Sequence, residues 1–497
     1  MPTFSTLDRA DIELTASSKE DEARVRTEVR RRFLVLGDFS GRESRGVAET
    51  RDLGVQRQPI RVDREDLDEV LARLQPEIRV ASGQSDPFLI RPRSLDDFHP
   101  DRLLARESVF SDLRRVLAGL DDPTAFDEAA RIVRGWDARE TPVAAQRQAS
   151  PPREIGAAAG GDVLEEMLTA DRRKSPPGSR DPELDRLVAG IVRPHVDAGE
   201  PADRGRLKVR AEQEVGHRMR RLLHAPAFQA AEAAWRGLDF LLRTLEIGDE
   251  TRVDLLDVTK EELAADLKAA SDLAETGVQR ILSGGADGSA RFSAAVCLYE
   301  FGPTVEDVAL LARLARIGSA VGTPLLSAAA PALLASDRLD RAPDPKRWIK
   351  AKGQPAEELW AALRLMPEAR YLGLAAPRFL LRLPYGKRTD EAETFAFEEF
   401  EAAPVHSHYL WGNPALLCLI ANESPGPVSG LPLYVYAEAG ESRIQPGAET
   451  LLPPPVAEAM LERGIMPVMA FPDRDSVRVA RMQSVADPPT PLGAHEG

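Results

Sequence analysis

At 497 residues, 43% of them apolar and 29% charged, the chain exceeds one ordinary core and calls for two or three folded units. Its 80 acidic against 65 basic residues give a formal charge of −15, which excludes a general nucleic-acid binder, since that needs net attraction to phosphate. Two cysteines, Cys297 and Cys418, exclude a disulfide framework, and no stretch has the length of a membrane span.

Met1 to Glu20 are polar and acidic, without the apolar core of a secretory signal, so a cytoplasmic protein with no direct membrane insertion is expected. Residues 1–32 read as a flexible, charged arm. Order begins with Phe33-Leu34-Val35-Leu36, a buried strand ending in Gly37-Asp38. Ile60 to Val62 and Phe88 to Ile90 are further strands. Asp63 is placed to cap a helix striped by Leu67, Val70, Leu71 and Leu74. Leu95 to Pro100 is a turn into helix, and Val109, Leu113, Val116, Leu117 and Leu120 mark another amphipathic helix. Residues 33–140 therefore form a small α/β domain.

Composition turns to Ala, Gly, Pro, Ser and Arg over 141–206, a linker whose one island is an amphipathic helix at 162–170 carrying Val163, Leu164, Met167 and Leu168. Pro194 to Arg206 is a second loose stretch, and the basic clusters at Arg172–Lys174 and Arg218–Arg221 read as solvated faces. From 207 to 486 the pattern is βα alternation, a larger α/β domain with a partly parallel, mixed sheet. Phe228, Ala231, Trp235, Leu238 and Leu242 share one helix face, and Gly237 within it predicts a close neighbour. Val253 to Val258 is a strand, with a capping box at Thr259 and Glu262 opening the next helix. Ser293 to Tyr299, Pro324 to Ala328 and Tyr371 to Leu374 are strands, and a helix follows Thr304. Short strands and Pro-rich turns follow Leu431, and 487–497 is a disordered tail.

Chemistry is sparse. Phe33 to Gly41 is strand-then-glycine-turn, but it has neither Gly-Lys-Ser/Thr nor Gly-x-Gly-x-x-Gly, so its glycines are assigned to a tight turn beside a sheet edge. His406 and His408 would share one face of a strand, half a zinc site that Glu398 or Glu399 could complete, or they mark a polar turn before Tyr409. No nucleophile elbow or acid–base constellation accompanies His217 and His224. Arg378 and Arg382 are set among large apolar residues, which spacing alone reads equally as internal salt bridges or as a subunit contact.

Three motifs in combination, Trp235-Arg236-Gly237-Leu238, Pro377 to Gly386 and Tyr409-Leu410-Trp411-Gly412-Asn413, resemble the large subunit of the type VI secretion contractile sheath (TssC, VipB-type) over most of 160–486. Ahead of them, Gly37, Asp38, Ser40 and Gly41, with the Asp63–Leu74 and Leu95–Pro100 segments, resemble the small subunit (TssB, VipA-type). The chain thus looks like a natural fusion of the two. The resemblance implies a structural protein, not an enzyme, with no cofactor. It implies self-association into a helical sheath around an inner tube protein on a baseplate, extended terminal arms that add strands to neighbours, and contraction that drives the tube outward. It assigns sheath assembly and core roles to Phe228, Trp235, Arg236, Gly237, Arg378, Phe379, Arg382, Tyr385, Trp411 and Asn413. It also implies an AAA+ recycling unfoldase that reads the island Val163 to Leu168.

Two departures stand out: only a short connection remains at 414–430, and 141–161 has little β propensity where the small subunit's last strand should lie. Other readings are a degenerate sheath-like assembly or regulatory factor, or a metal- or nucleotide-dependent enzyme using the Gly37 turn or the His406/His408 pair.

Overall fold

A computed structural model of the chain describes residues 31–49, 53, 57–82, 85–145, 201–245, 251–284, 290–334, 336, 338, 339, 355–401, 403–438 and 440–493. The island 162–170, with Val163, Leu164, Met167 and Leu168, lies outside the described residues, as do 1–30 of the N-terminal arm.

The strands are β1 (Arg31–Gly37), β2 (Ile60–Val62), β3 (Ile78–Ser82), β4 (Ser85–Ile90), β5 (Thr251–Asp257), β6 (Ala294–Phe301), β7 (Leu325–Ala329), β8 (Leu372–Ala376), β9 (Phe379–Leu380), β10 (Trp411–Gly412), β11 (Tyr434–Glu438), β12 (Glu441–Gln445), β13 (Ile465–Ala470) and β14 (Val477–Val479). Eight of them form one sheet in the order β14-β13-β8-β7-β6-β1-β5-β2. The inner six run parallel, and β14 and β2 close the two edges antiparallel. This is a mixed α/β sheet.

β1 explains how the sheet is built. Phe33 to Leu36 is an unbroken apolar run, which suits a strand covered on both faces. Phe33 and Val35 enter one core, and Leu34 and Leu36 enter the other. Its neighbours on both sides come from beyond residue 250: Val35 lies opposite Leu255 on one side and Val296 on the other. Expected as separate units, 33–140 and 207–486 share this sheet, which takes β1 and β2 from the first stretch and its other six strands from the second.

The helices are α1 (Arg42–Arg45), α2 (Leu67–Leu74), α3 (Pro100–Arg106), α4 (Ser111–Asp121), α5 (Phe126–Ala145), α6 (Pro201–Leu223), α7 (Pro226–Thr244), α8 (Lys260–Ala269), α9 (Gly277–Leu282), α10 (Val305–Val321), α11 (Pro355–Arg364), α12 (Ala415–Glu423) and α13 (Pro454–Glu462). One face of the sheet is covered by α7, α12 and the elements around the β3–β4 hairpin. The other is covered by α8 to α11 and α13. A separate small core joins α4, α5 and α6. The capping box expected at Thr259 forms: its Oγ1 accepts from Glu262 N–H at 3.1 Å, and Glu262 Oε2 accepts from Thr259 N–H at 2.9 Å.

Several sequence expectations are corrected. Arg31 and Arg32 belong to β1, not to a loose arm, because buried Arg32 pairs with fully buried Asp254 at 2.6 Å. Asp63 does not cap α2; Asp66 precedes the helix and turns back to accept from Asp63 N–H at 2.7 Å. Helix extends through Ala145 and resumes at Pro201, so both ends of the linker are shorter than composition suggested. The connection after Asn413 holds α12, whose residues Ala415 to Ala421 are all buried. The tail is fixed as far as Gly493: Asp487 N–H donates to Arg364 O and Gly493 N–H to Arg370 O, each at 2.8 Å.

Candidate functional site

The turn after β1 leaves an interior strand of the sheet, not its edge, and four backbone N–H groups in and just after it are bound by the chain's own carboxylates. Asp257 Oδ1 accepts from Phe39 N–H at 2.9 Å and from Ser40 N–H at 3.1 Å. The Asp38 carboxylate accepts from Arg42 N–H at 2.9 Å and Glu43 N–H at 2.8 Å. A phosphate loop must offer such N–H groups to its ligand, so the chain's own carboxylates fill the role an anion would take. Arg42 reaches across to Asp257 at 2.5 Å and Glu262 at 2.9 Å, while Arg57 reaches Glu262 at 3.1 Å. Gly41 has φ +73°, and a Cβ there would lie 2.6 Å from Glu77 O. Gly37 sits against the side chains of Leu298 and Phe39.

This turn meets α7 directly. Trp235 Nε1–H donates to Phe39 O at 3.0 Å, and the two rings stand edge-to-face at 5.1 Å. Phe228, about two turns away on α7, packs edge-to-face on Phe98 at 5.5 Å. Gly237 is the close approach of α12: a Cβ there would come within 2.9 Å of Leu416 Cδ1.

On the next flank of α7, two buried carboxylates meet two partly exposed arginines. Arg382 donates from Nε to Glu232 at 2.8 Å and from Nη1 to Glu399 at 2.8 Å. Arg236 donates to Glu232 at 2.7 Å and to Tyr385 Oη at 3.0 Å. Glu399 also accepts from Tyr385 N–H at 2.8 Å, and the Arg382 guanidinium lies 4.2 Å from the centre of the Tyr385 ring. Burial opposes charge on Glu399, but Arg382 and the surrounding donors outweigh it and hold the carboxyl at about 2. Burial likewise opposes charge on Arg382, yet Glu232 and Glu399 keep it protonated, and burial pushes the Tyr385 phenol up to about 12.

Arg378 has its own acid: Glu449 accepts from its Nη2 at 2.5 Å and from its backbone N–H at 3.0 Å. Burial of Glu449 is outweighed by His406 and Arg378, which hold it at about 2. Both arginines of the Pro377–Gly386 segment thus have internal salt bridges, and the Arg378 side chain keeps 38% of its surface exposed. Phe379 pairs with Gly412 in the β9–β10 ladder and packs on Phe240 at 5.1 Å. Trp411 donates to His406 O at 2.9 Å. Asn413 donates to Tyr299 O at 3.1 Å and accepts from Ala415 N–H at 3.0 Å, tying the start of α12 to β6.

The half-zinc reading of His406 and His408 is not what the fold builds. They lie on a short 3-10 turn, not a strand. His406 lies beside Trp411 and Glu449, whereas His408 stacks on His224 at 3.8 Å. His224 Nε2 is 3.4 Å from Glu399 without the alignment of a hydrogen bond. Among the described residues no group of three or more His, Cys, Asp or Glu is arranged to hold a metal, and no helix is long and apolar enough to cross a membrane.

The motif residues from both parts of the chain therefore converge around α7, and the comparisons divide along the same line. The family model VipB, described as EvpB/VC_A0108, tail sheath N-terminal domain, matches residues 208–486. The chain belongs to the VipB tail sheath family. A second model, VipA of the type VI secretion system, matches residues 5–122, ahead of the VipB region. The type VI secretion system sheath protein TssC1 of Pseudomonas aeruginosa is 29% identical over 289 residues, covering 54% of this chain and 58% of the relative. The chain thus spans under two thirds of that relative's length. Within the family frame, β1 and its turn are VipA-matching, β5 to β8 and α7 are VipB-matching, and Trp235 joins them.

Sequence reasoning missed Glu232, Glu449 and Asp257 and gave Glu262 and Glu399 other roles, a capping box and a candidate zinc ligand. Only Glu232 carried a usable signal. It stands four residues before Arg236 and beside the buried stripe, the spacing of a helical ion pair.

The acids give a pH prediction. Glu399 and Glu449 have folded values of about 2 against 4.5 for the free side chain. Their contribution is complete above pH 4.5 and is lost as pH falls toward about 2, of order 3 kcal/mol each. Urea unfolding between pH 7 and pH 3 should show this loss, and Glu399→Gln should flatten it. An unchanged acid limb in that variant would refute the assignment.

Proposed function

We propose that this chain is a structural subunit of a type VI secretion contractile sheath, in which small- and large-subunit regions are one polypeptide acting in the cytoplasm. The observation that carries the reading is β1: a VipA-region strand fills the middle of a VipB-region sheet, and its turn is latched to Trp235. A covalent link fixes a one-to-one ratio of the two regions and makes their docking intramolecular, which raises effective concentration.

In this reading copies stack around an inner tube protein above a baseplate, and the work of contraction comes from interfaces between copies, without a cofactor or catalytic step. The rigid, internally neutralised motif residues act as a scaffold that transmits load. The island Val163 to Leu168 is the segment read by a AAA+ recycling unfoldase.

The test is negative-stain microscopy of the purified chain with and without its tube protein. Cylinders that form or lengthen with the tube support the proposal, and particles that stay single at high concentration refute it. In the same preparations, Leu164→Asp with Leu168→Asp should assemble normally but lose unfoldase pull-down. Retained pull-down would remove the island from the reading.

A further inference from the structure

α6 and α7 are joined through His224 and Ala225, and the His224 ring lies against that of His408, with centroids 3.8 Å apart and planes 12° from parallel. His408 closes the 3-10 turn His406–His408, and Gln229 of α7 holds the same turn by donating from Nε2 to Ser407 O at 3.2 Å. The turn leads into β10 and α12, so the stacked rings tie that stretch to the α6–α7 joint. The half-buried Phe400 ring lies nearly parallel to His224 as well, at 6.1 Å.

The surroundings suit one added proton and oppose two. His224 Nε2 is 3.4 Å from Glu399 Oε1, so a charge on His224 meets a carboxylate. Glu399 is the acid that acts on His408 too, and it already serves Arg382 and Tyr385 N–H, each at 2.8 Å. Of the acids beside it, Glu401 pairs with Arg220 of α6 at 2.5 Å, and Glu398 accepts from Lys387 N–H at 3.2 Å. α7 presents the neutral Gln229, burial keeps the Tyr409 phenol uncharged, and His406 faces Glu449 and Trp411 instead. Two imidazolium rings at 3.8 Å would share one counter-charge that is already committed, and they would repel. Burial, and then His224, hold the His408 imidazole below its ordinary value of 6.5 against the pull of Glu399.

We propose that the His224–His408 stack is a proton-operated latch, closed while at most one ring is charged and opened when both are. A base held below its ordinary value stabilises the fold only while neutral, so the stack is complete above pH 6.5 and weakens as pH falls below it. The contribution of Glu399 is lost only below pH 4.5. Mild acidity therefore frees the 405–410 turn from the α6–α7 joint while the Glu232–Arg382–Glu399 network is still charged.

Hydrogen exchange of the full chain at pH 7.5 and at pH 5, each rate divided by its intrinsic value, reads the latch through the His408 N–H, which donates to Val405 O at 2.9 Å. Protection of the 405–411 stretch should fall about tenfold at pH 5, while that of β1 stays constant. His408→Phe keeps a ring without a charge and should hold its protection at both pH values. The reciprocal His224→Phe should abolish the fall as well, which keeps the test open if the first variant folds poorly. His406→Gln should leave the fall in place. The proposal is overturned if the parent is equally protected at both pH values, or if the phenylalanine variants lose protection as the parent does. It is equally overturned if His406→Gln removes the response, because His406 is then the sensor.

Discussion

Arg382→Met is expected to lower stability by about 3–5 kcal/mol, the range for removing one partner of a buried ion pair. The reason is the company it keeps. Glu232 and Glu399 are 0% and 1% exposed, and Arg382 is the group that faces both. Removing it leaves two carboxylates without their shared cation, and one must take up a proton or pull water inward. Urea unfolding at pH 7 checks the size, and a loss below about 1 kcal/mol would refute the network's role. Replacing all three with Arg382→Met, Glu232→Gln and Glu399→Gln should recover much of the deficit, because no buried charge is then stranded.

Trp235→Ala carries the second large effect, again about 3–5 kcal/mol. The indole is fully buried, and its removal leaves a cavity between α7 and the turn after β1. It also strips Phe39 O of its donor inside the core. Trp235→Phe separates the two contributions: it keeps most of the packing and loses the hydrogen bond, a cost of about 1–3 kcal/mol. Limited proteolysis should show the segment after β1 released first in Trp235→Ala. If both variants unfold alike, the hydrogen bond and not the packing dominates.

Much of the fold was legible in the sequence, for identifiable reasons. Phe33 to Leu36 is apolar at consecutive positions, and such a run can only be a strand covered on both sides or a short buried helix; Gly37-Asp38 decides between them. The stripe on α7 and the capping box at Thr259 are local patterns of regular period, and they form where spacing places them. What local pattern could not show is partnership across the chain. Nothing near β1 says that Leu255 and Val296 flank it. Nothing near Arg378 names Glu449, which lies 71 residues away. α12 was overlooked because Ala415 to Ala421 is buried all round, so it has no polar face to reveal a helical period. For His406 and His408 the polar-turn reading is the one that forms, since a two-residue spacing implies a shared face only if the backbone is extended.

The central place of β1 has a consequence for synthesis. Its hydrogen bond from Arg32 N–H to Ser293 Oγ spans 261 residues, so one edge of this early strand must wait for more than half the protein to follow. Until then an apolar ribbon with two open sides is exposed to aggregation. Cutting the gene within 146–200 would give an N-terminal product without neighbours for β1 and a C-terminal product with a slot where β1 belongs. Neither piece should stay in solution by itself, and co-expression should rescue both.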